Sequence, residues 1–157
     1  MAAKDLLFGD PGALTNSLPK GYRLLGIDLG SKTIGLALSD PTFKIASPIT
    51  TLKRGKLTVD AAVIERIVTE RGIGGLLVGL PINMDGTEGP RAQATRDWCL
   101  ELARRLALPY AFWDERMSTM AVERMMIEAD MSRKRRAEKI DQAAAAYILQ
   151  AALDAIG

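Results

Sequence analysis

Residues 75–80 read GLLVGL, a stretch without one polar side chain. In a strand, successive side chains point to opposite faces, so a half-exposed strand alternates apolar and polar residues. An unbroken apolar run of strand length instead fits a strand covered on both faces. That calls for packed elements on each side of the sheet, as in an α/β arrangement with helices on its faces.

The rest of the sequence supplies the parts. Two apolar runs, 23–29 and 33–39, flank the turn Gly30-Ser31-Lys32 and read as a hairpin. Residues 47–53 (SPITTLK) read as a third, more polar strand, and Pro48 suits the sheet edge. A helix is expected over 58–71, with Val59, Ala62, Val63, Ile64 and Ile67 on one broad face and Gly72 and Gly74 ending it. Residues 81–89 (PINMDGTEG) form a loop. Pro90 occupies the first turn of a helix running to 106. Residues 110–113 make a short strand, and Ser118 or Thr119 caps a helix to 129. A basic turn and an Ala-rich helix over 138–156 complete the chain. The order βββ-α-β-α-β-α-α gives a mixed five-stranded sheet, strands 1–3 antiparallel and 4–5 parallel, with helices on both faces. At 157 residues the chain fits a single domain over 21–157. An irregular arm rich in Gly, Pro and Asn precedes it over 1–20.

Composition removes several chemistries. The chain has no histidine, so Ser-His-Asp catalysis, Cys-His catalysis and histidine-bound zinc are excluded. Its one cysteine, Cys99, cannot form an internal disulfide, reads as a small buried residue, and fits a reducing cytosol. No run approaches the roughly 20 apolar residues that span a bilayer, and the N-terminus lacks a signal-peptide pattern. A net charge of +2 does not by itself argue for nucleic acid. Hydrolysis here has to use carboxylates, lysine, tyrosine or a metal-bound water.

Three acids stand in odd places. Asp28 ends the first apolar run, Glu115 follows the short strand beside Asp114, and Asp141 lies in the first turn of the last helix. Positions 141, 144, 145 and 148 share a helix face, and the other three are Ala144, Ala145 and Ile148. Each acid alone has an ordinary reading: a turn residue, a solvated partner of Arg91 or Arg116, a favourable helix-dipole position. Together they end or begin elements that otherwise bury themselves. If the elements converge, three carboxylates repel and call for cations, and hard oxygen donors favour Mg²⁺ or Mn²⁺. Such ions hold a phosphodiester and activate water without a histidine base.

The segments GIDLGSKTIGLALSD, VGLPINMDGTEG, DERMST and KIDQAAAAYILQ, in this order, resemble the YqgF (RuvX) family. The likeness spans about residues 23–153 and leaves the N-terminal arm outside. It implies a ribonuclease H-like fold related to the RuvC Holliday-junction resolvases. It also implies a cytoplasmic, Mg²⁺- or Mn²⁺-dependent nuclease that matures the 5′ end of pre-16S rRNA. Carried over by motif, the catalytic and metal-binding acids are Asp28, Glu115 and Asp141. Met117 stands where leucine is expected.

Substrate contacts are sought near these acids. The basic segment with Arg133, Lys134, Arg135 and Arg136 precedes Asp141 and suits a phosphate backbone, against the plain reading of a solvated turn. Asn83, Asp85, Thr87 and Glu88 in the loop, with Arg91 at the next helix start, form a second candidate, against the plain reading of a Gly-rich turn. Ser31, Lys32 and Arg116 flank two of the acids. Tyr147 reads as core. The residues alone leave RNA, DNA and four-way junctions open, as well as one or two metals, monomer or homodimer, and a ribosomal precursor particle as partner. Two rivals belong to other classes. An actin-like or sugar-kinase nucleotide binder is disfavoured by the short chain and the lack of a second Asp-x-Gly motif. A non-catalytic nucleic-acid module would leave the acids structural.

Overall fold

The structure is a computed structural model; it describes residues 6–117 and 133–156, with 133–142 described as helix backbone alone. Strands β1 (Arg23–Leu29), β2 (Thr33–Ser39), β3 (Ala46–Lys53), β4 (Ile73–Leu80) and β5 (Tyr110–Asp114) form one sheet in the order β3-β2-β1-β4-β5. The β1–β2 and β2–β3 pairs are antiparallel, and β4 is parallel to both β1 and β5. This is the expected mixed sheet. Pro48 lies in the edge strand β3, opposite Ala37 where the register with β2 shifts, a place that tolerates a residue without an N–H.

Helices cover both faces. On one face α2 (Leu57–Arg71) and α3 (Pro90–Leu106) bury Ile64, Trp98, Cys99 and Leu102 against Leu25, Ile27, Leu36, Leu76 and Val78. On the other, α1 (Pro11–Ser17) and α4 (Arg133–Ile156) bury Leu14, Ala145, Leu149, Ala152 and Leu153 against Leu24, Ala37, Leu77 and Ala111. Leu76 and Val78 face one helical layer and Leu77 the other, which is why the GLLVGL run carries nothing polar. No described helix is long and apolar enough to cross a membrane.

Three expectations are corrected. The segment 1–20 is not simply irregular, because it holds α1. Asp10 caps that helix by accepting a hydrogen bond from the Ala13 N–H at 2.8 Å, and Pro11 opens it. Leu14 is fully buried under the sheet, and the Phe8 N–H donates to the Tyr110 carbonyl at 2.8 Å. Pro11, one of the residues that suggested a loose arm, opens the helix, and Asp10 before it is the cap. Leu14→Ala is therefore expected to cost about 2–5 kcal/mol in urea unfolding; a loss under about 0.5 kcal/mol would mean that the arm is not part of the core.

The second correction concerns α2. Val59 and Val63 are 59% and 38% exposed. The inward set is Leu57, Asp60, Ala61, Ile64, Ile67 and Val68, spaced at three and four residues. Apolar residues surround much of this helix, so periodicity did not decide the face. Asp60 lies on the inward face, buried with its carboxylate accepting the Gly55 N–H at 2.9 Å. Third, α4 begins at Arg133, so the basic segment expected as a turn is helical backbone.

Candidate active site

Asp28 is the penultimate residue of β1, opposite Gly35 of β2. Alternation along β1 turns Leu24, Gly26 and Asp28 to the α4 side, with Leu25 and Ile27 on the other. The helix comes close there because the strands are bare. A Cβ placed on Gly26 would lie 2.9 Å from Leu149 Cβ and 3.3 Å from the Ala145 carbonyl oxygen. A Cβ on Gly35 would lie 3.5 Å from Ala145 Cβ and 3.6 Å from Asp28 Cβ. Ala145 thus sits over the end of the hairpin, beside Asp28.

Glu115 follows β5, and its N–H donates to the Leu80 carbonyl at 3.1 Å, which extends the β5–β4 pairing by one step. Its side chain turns back over Gly79 of the sheet toward Asp28, which acts on it electrostatically. Burial is the main force raising the Glu115 pKa well above the usual carboxylate range. The negative Asp28 raises it further, Arg91 opposes the shift, and Asp114 adds to it. Beside a second carboxyl group, the Glu115 carboxyl holds its proton more readily when no cation is present. Asp114 behaves differently: it is paired with Arg116, whose hydrogen bond outweighs burial and lowers the Asp114 pKa. Of the two consecutive acids, only Glu115 reaches Asp28.

The third expected acid, Asp141, has its backbone in α4, one helical turn before Ala145; its side chain lies outside the described residues, as do those of Arg133, Lys134, Arg135 and Arg136. The helix expected over 118–129, with its Ser118 or Thr119 cap, also lies outside them. Among the described residues no three acidic or cysteine side chains gather as a metal site. The pair Asp28 and Glu115 does gather, and it offers hard oxygen donors whose mutual repulsion a divalent cation would relieve.

The expected substrate contacts divide. Arg91, in the first turn of α3, is exposed and near enough to act electrostatically on Glu115. Ser31 and Lys32 are exposed in the turn after Asp28. Asn83 and Thr87 close the 81–89 loop on itself: Asn83 N–H donates to the Thr87 carbonyl at 2.9 Å, and Asn83 Nδ2 to Thr87 Oγ1 at 3.1 Å. Asp85 accepts from Thr87 N–H and Oγ1. Arg116 is engaged with protein: it grips the Asp114 carboxylate and donates through Nη1 to the carbonyls of Asn83 and Met84. It ties the loop to the end of β5. Sequence reasoning missed Arg54, whose Nη1 donates to the Gly30 carbonyl at 2.8 Å and braces the turn beside Asp28. The signal lies in the β2–β3 register, which pairs Thr33 with Lys53 and so brings residue 54 to the turn.

A family model described as RuvX, Holliday junction resolvase, matches residues 22–155. A protein of Paramagnetospirillum magneticum named "Putative pre-16S rRNA nuclease" is 56% identical over 144 residues, 92% of this chain and 93% of its own. A Roseobacter denitrificans protein of the same name is 52% identical over 153 residues, 96% and 94% of the two chains. Among solved structures, Thermus thermophilus RuvC in complex with a Holliday junction substrate superposes with a TM-score of 0.52 at 14% identity, covering 85% of this chain and 94% of that one. At that identity the likeness is one of fold.

Proposed function

The chain belongs to the RuvX family, and we propose that it is a divalent-metal-dependent nuclease that hydrolyses phosphodiester bonds in maturing the 5′ end of pre-16S rRNA. One observation carries the chemistry: Asp28 and Glu115, 87 positions apart in the sequence, come together under α4. Two half-buried acids brought side by side repel, and that arrangement is suited to a hard cation. The names of the close relatives support the RNA substrate.

In this reading Asp28 and Glu115 are ligands, and Asp141, on the helix that covers them, is the third. A bound Mg²⁺ or Mn²⁺ supplies Lewis acidity toward the phosphate and a water of lowered pKa. The chain's own residues do the rest. The sheet fixes Asp28 and Glu115, so little reorganisation is needed when substrate arrives. Arg91 places positive charge beside Glu115, and Lys32 stands exposed in the turn after Asp28, where a phosphate backbone would run. Arg116 and Asp114 hold the 81–89 loop as one wall, and Arg54 holds the turn after Asp28 as another.

The test is direct. The protein is incubated with Mn²⁺ or Mg²⁺ and, in parallel, a pre-16S rRNA 5′ segment, single-stranded DNA and a four-way junction. Metal-dependent cleavage of the RNA alone is expected. Preferential cutting of the junction would replace the substrate with a DNA structure, and no cutting of any of the three would leave a binding module. Reversing the charge of Arg133 to Arg136 is expected to weaken RNA binding and to flatten its dependence on log salt by about 0.7 for each phosphate no longer neutralised; an unchanged slope removes that segment from the interface.

A further inference from the structure

Gly79 is neither an acid nor a charge beside the acids, and its backbone does not demand glycine, since its φ is not in the positive region. Space is what it provides. A Cβ there would stand 2.7 Å from Glu115 Oε1, 3.0 Å from Glu115 Cγ and 2.9 Å from Ile148 Cδ1. The first and last are closer than real Cβ contacts come.

The topology explains why this position is critical. Glu115 leaves the end of β5, Asp28 sits on β1, and β4 runs between them. Neighbouring strands are about 4.8 Å apart, so the two acids start about two strand spacings from each other. To meet Asp28, the Glu115 side chain must cross β4 on the α4 side. The registers Ile27↔Val78 and Gly79↔Trp113 put Gly79 on that crossing line. Leu77, two residues back, already presents its side chain to α4, so any residue at 79 would present one too. Ile148 of α4 closes the passage from above.

We infer that Gly79 is a positioning residue: its bare Cα is the seat across which Glu115 reaches Asp28. The inference rests on the reading of these two acids as ligands of one divalent ion. With a methyl at 79 the carboxylate has to lift toward Ile148 or swing back toward β5, and either motion parts the pair.

The experiment measures Mn²⁺ binding by calorimetry and melting temperature in the absence of metal, for wild type, Gly79→Ala, Glu115→Ala and the double variant. Gly79→Ala is expected to fold cooperatively and to bind Mn²⁺ at least about tenfold more weakly. It is also expected to lower the melting temperature less when Glu115 is already alanine, because the displaced carboxylate is then gone. Wild-type Mn²⁺ affinity in Gly79→Ala overturns the inference. So does an equal melting penalty in both backgrounds, which would make Ile148 and helix packing the reason for the glycine. If Gly79→Ala fails to fold, a folded double variant supports the seat and an unfolded one overturns it. A wild-type chain that binds no Mn²⁺ sinks the metal-dependent function, while the melting comparison still decides the seat.

Discussion

Asp28→Asn is expected to reduce metal-dependent cleavage at least about a thousandfold, the effect of roughly 4 kcal/mol of lost transition-state stabilisation, while making the metal-free protein more stable. The two halves come from the same geometry. Removing one carboxylate from a pair that holds a cation removes the cation's site. Removing it from a pair without a cation removes repulsion. The raised Glu115 pKa fixes the sign. A carboxyl whose folded pKa lies above its unfolded value binds more protons when folded, so its penalty is absent below about pH 4, grows as pH rises, and is complete above the folded pKa. Burial is the larger cause and survives the substitution; only the contribution of Asp28 is removed. A gain on the order of 1 kcal/mol, or about 2–4 °C in melting temperature, is therefore expected near pH 8 and should vanish near pH 4. Added Mn²⁺ should raise the melting temperature of wild type and leave that of Asp28→Asn unmoved. A variant that cleaves at the wild-type rate, or that Mn²⁺ still stabilises, removes Asp28 from the site.

The parts of this fold that were legible in sequence are those where local chemistry decides. The bounds of β1 and β2 follow from two apolar runs meeting at Gly30, where the chain turns tightly enough for the Gly30 N–H to donate to the Thr33 carbonyl. Both faces of β4 are buried because nothing in GLLVGL tolerates water. The start of α3 at Pro90 is equally local. The buried face of α2 was not legible, because apolar residues on several sides left the choice to the sheet beneath. Nor was α1, whose capping residues resemble those of a loop and whose burial depends on Tyr110 and Leu77, far away in sequence. In the site, Asp28 and Glu115 stood out because each interrupts an apolar element. Arg54, Arg116 and Gly79 carry no such mark. Their roles exist only once the register brings a turn, a loop or a crossing side chain next to them.

The glycines of the central strands set the height of α4, and that makes Gly26→Ala the second large effect. The added methyl would meet Leu149 Cβ at 2.9 Å, Leu149 Cδ2 at 3.2 Å and the Ala145 carbonyl oxygen at 3.3 Å. Two of these atoms belong to the helix framework rather than to a rotatable tip, so a change of rotamer does not relieve the contact. The helix has to rise or shift, at a cost of about 1–3 kcal/mol for overpacking, less the few tenths to 1 kcal/mol that replacing glycine gains through the unfolded chain. The larger consequence is at the site. Ala145 and Ile148 bound the space around Asp28 and Glu115, and position 141 rides on the same helix. A displacement near 1 Å between catalytic groups can cost about a hundredfold in rate. Gly26→Ala is thus expected to lose on the order of a hundredfold in cleavage with every acid intact, and to lose Mn²⁺ affinity with it. Gly35→Ala is the control. Its Cβ would meet Ala145 Cβ at 3.5 Å and Asp28 Cβ at 3.6 Å, ordinary van der Waals contacts, so its activity should stay within a few fold of wild type. Equal losses in the two variants would show that the height of the helix over β1 does not govern the site.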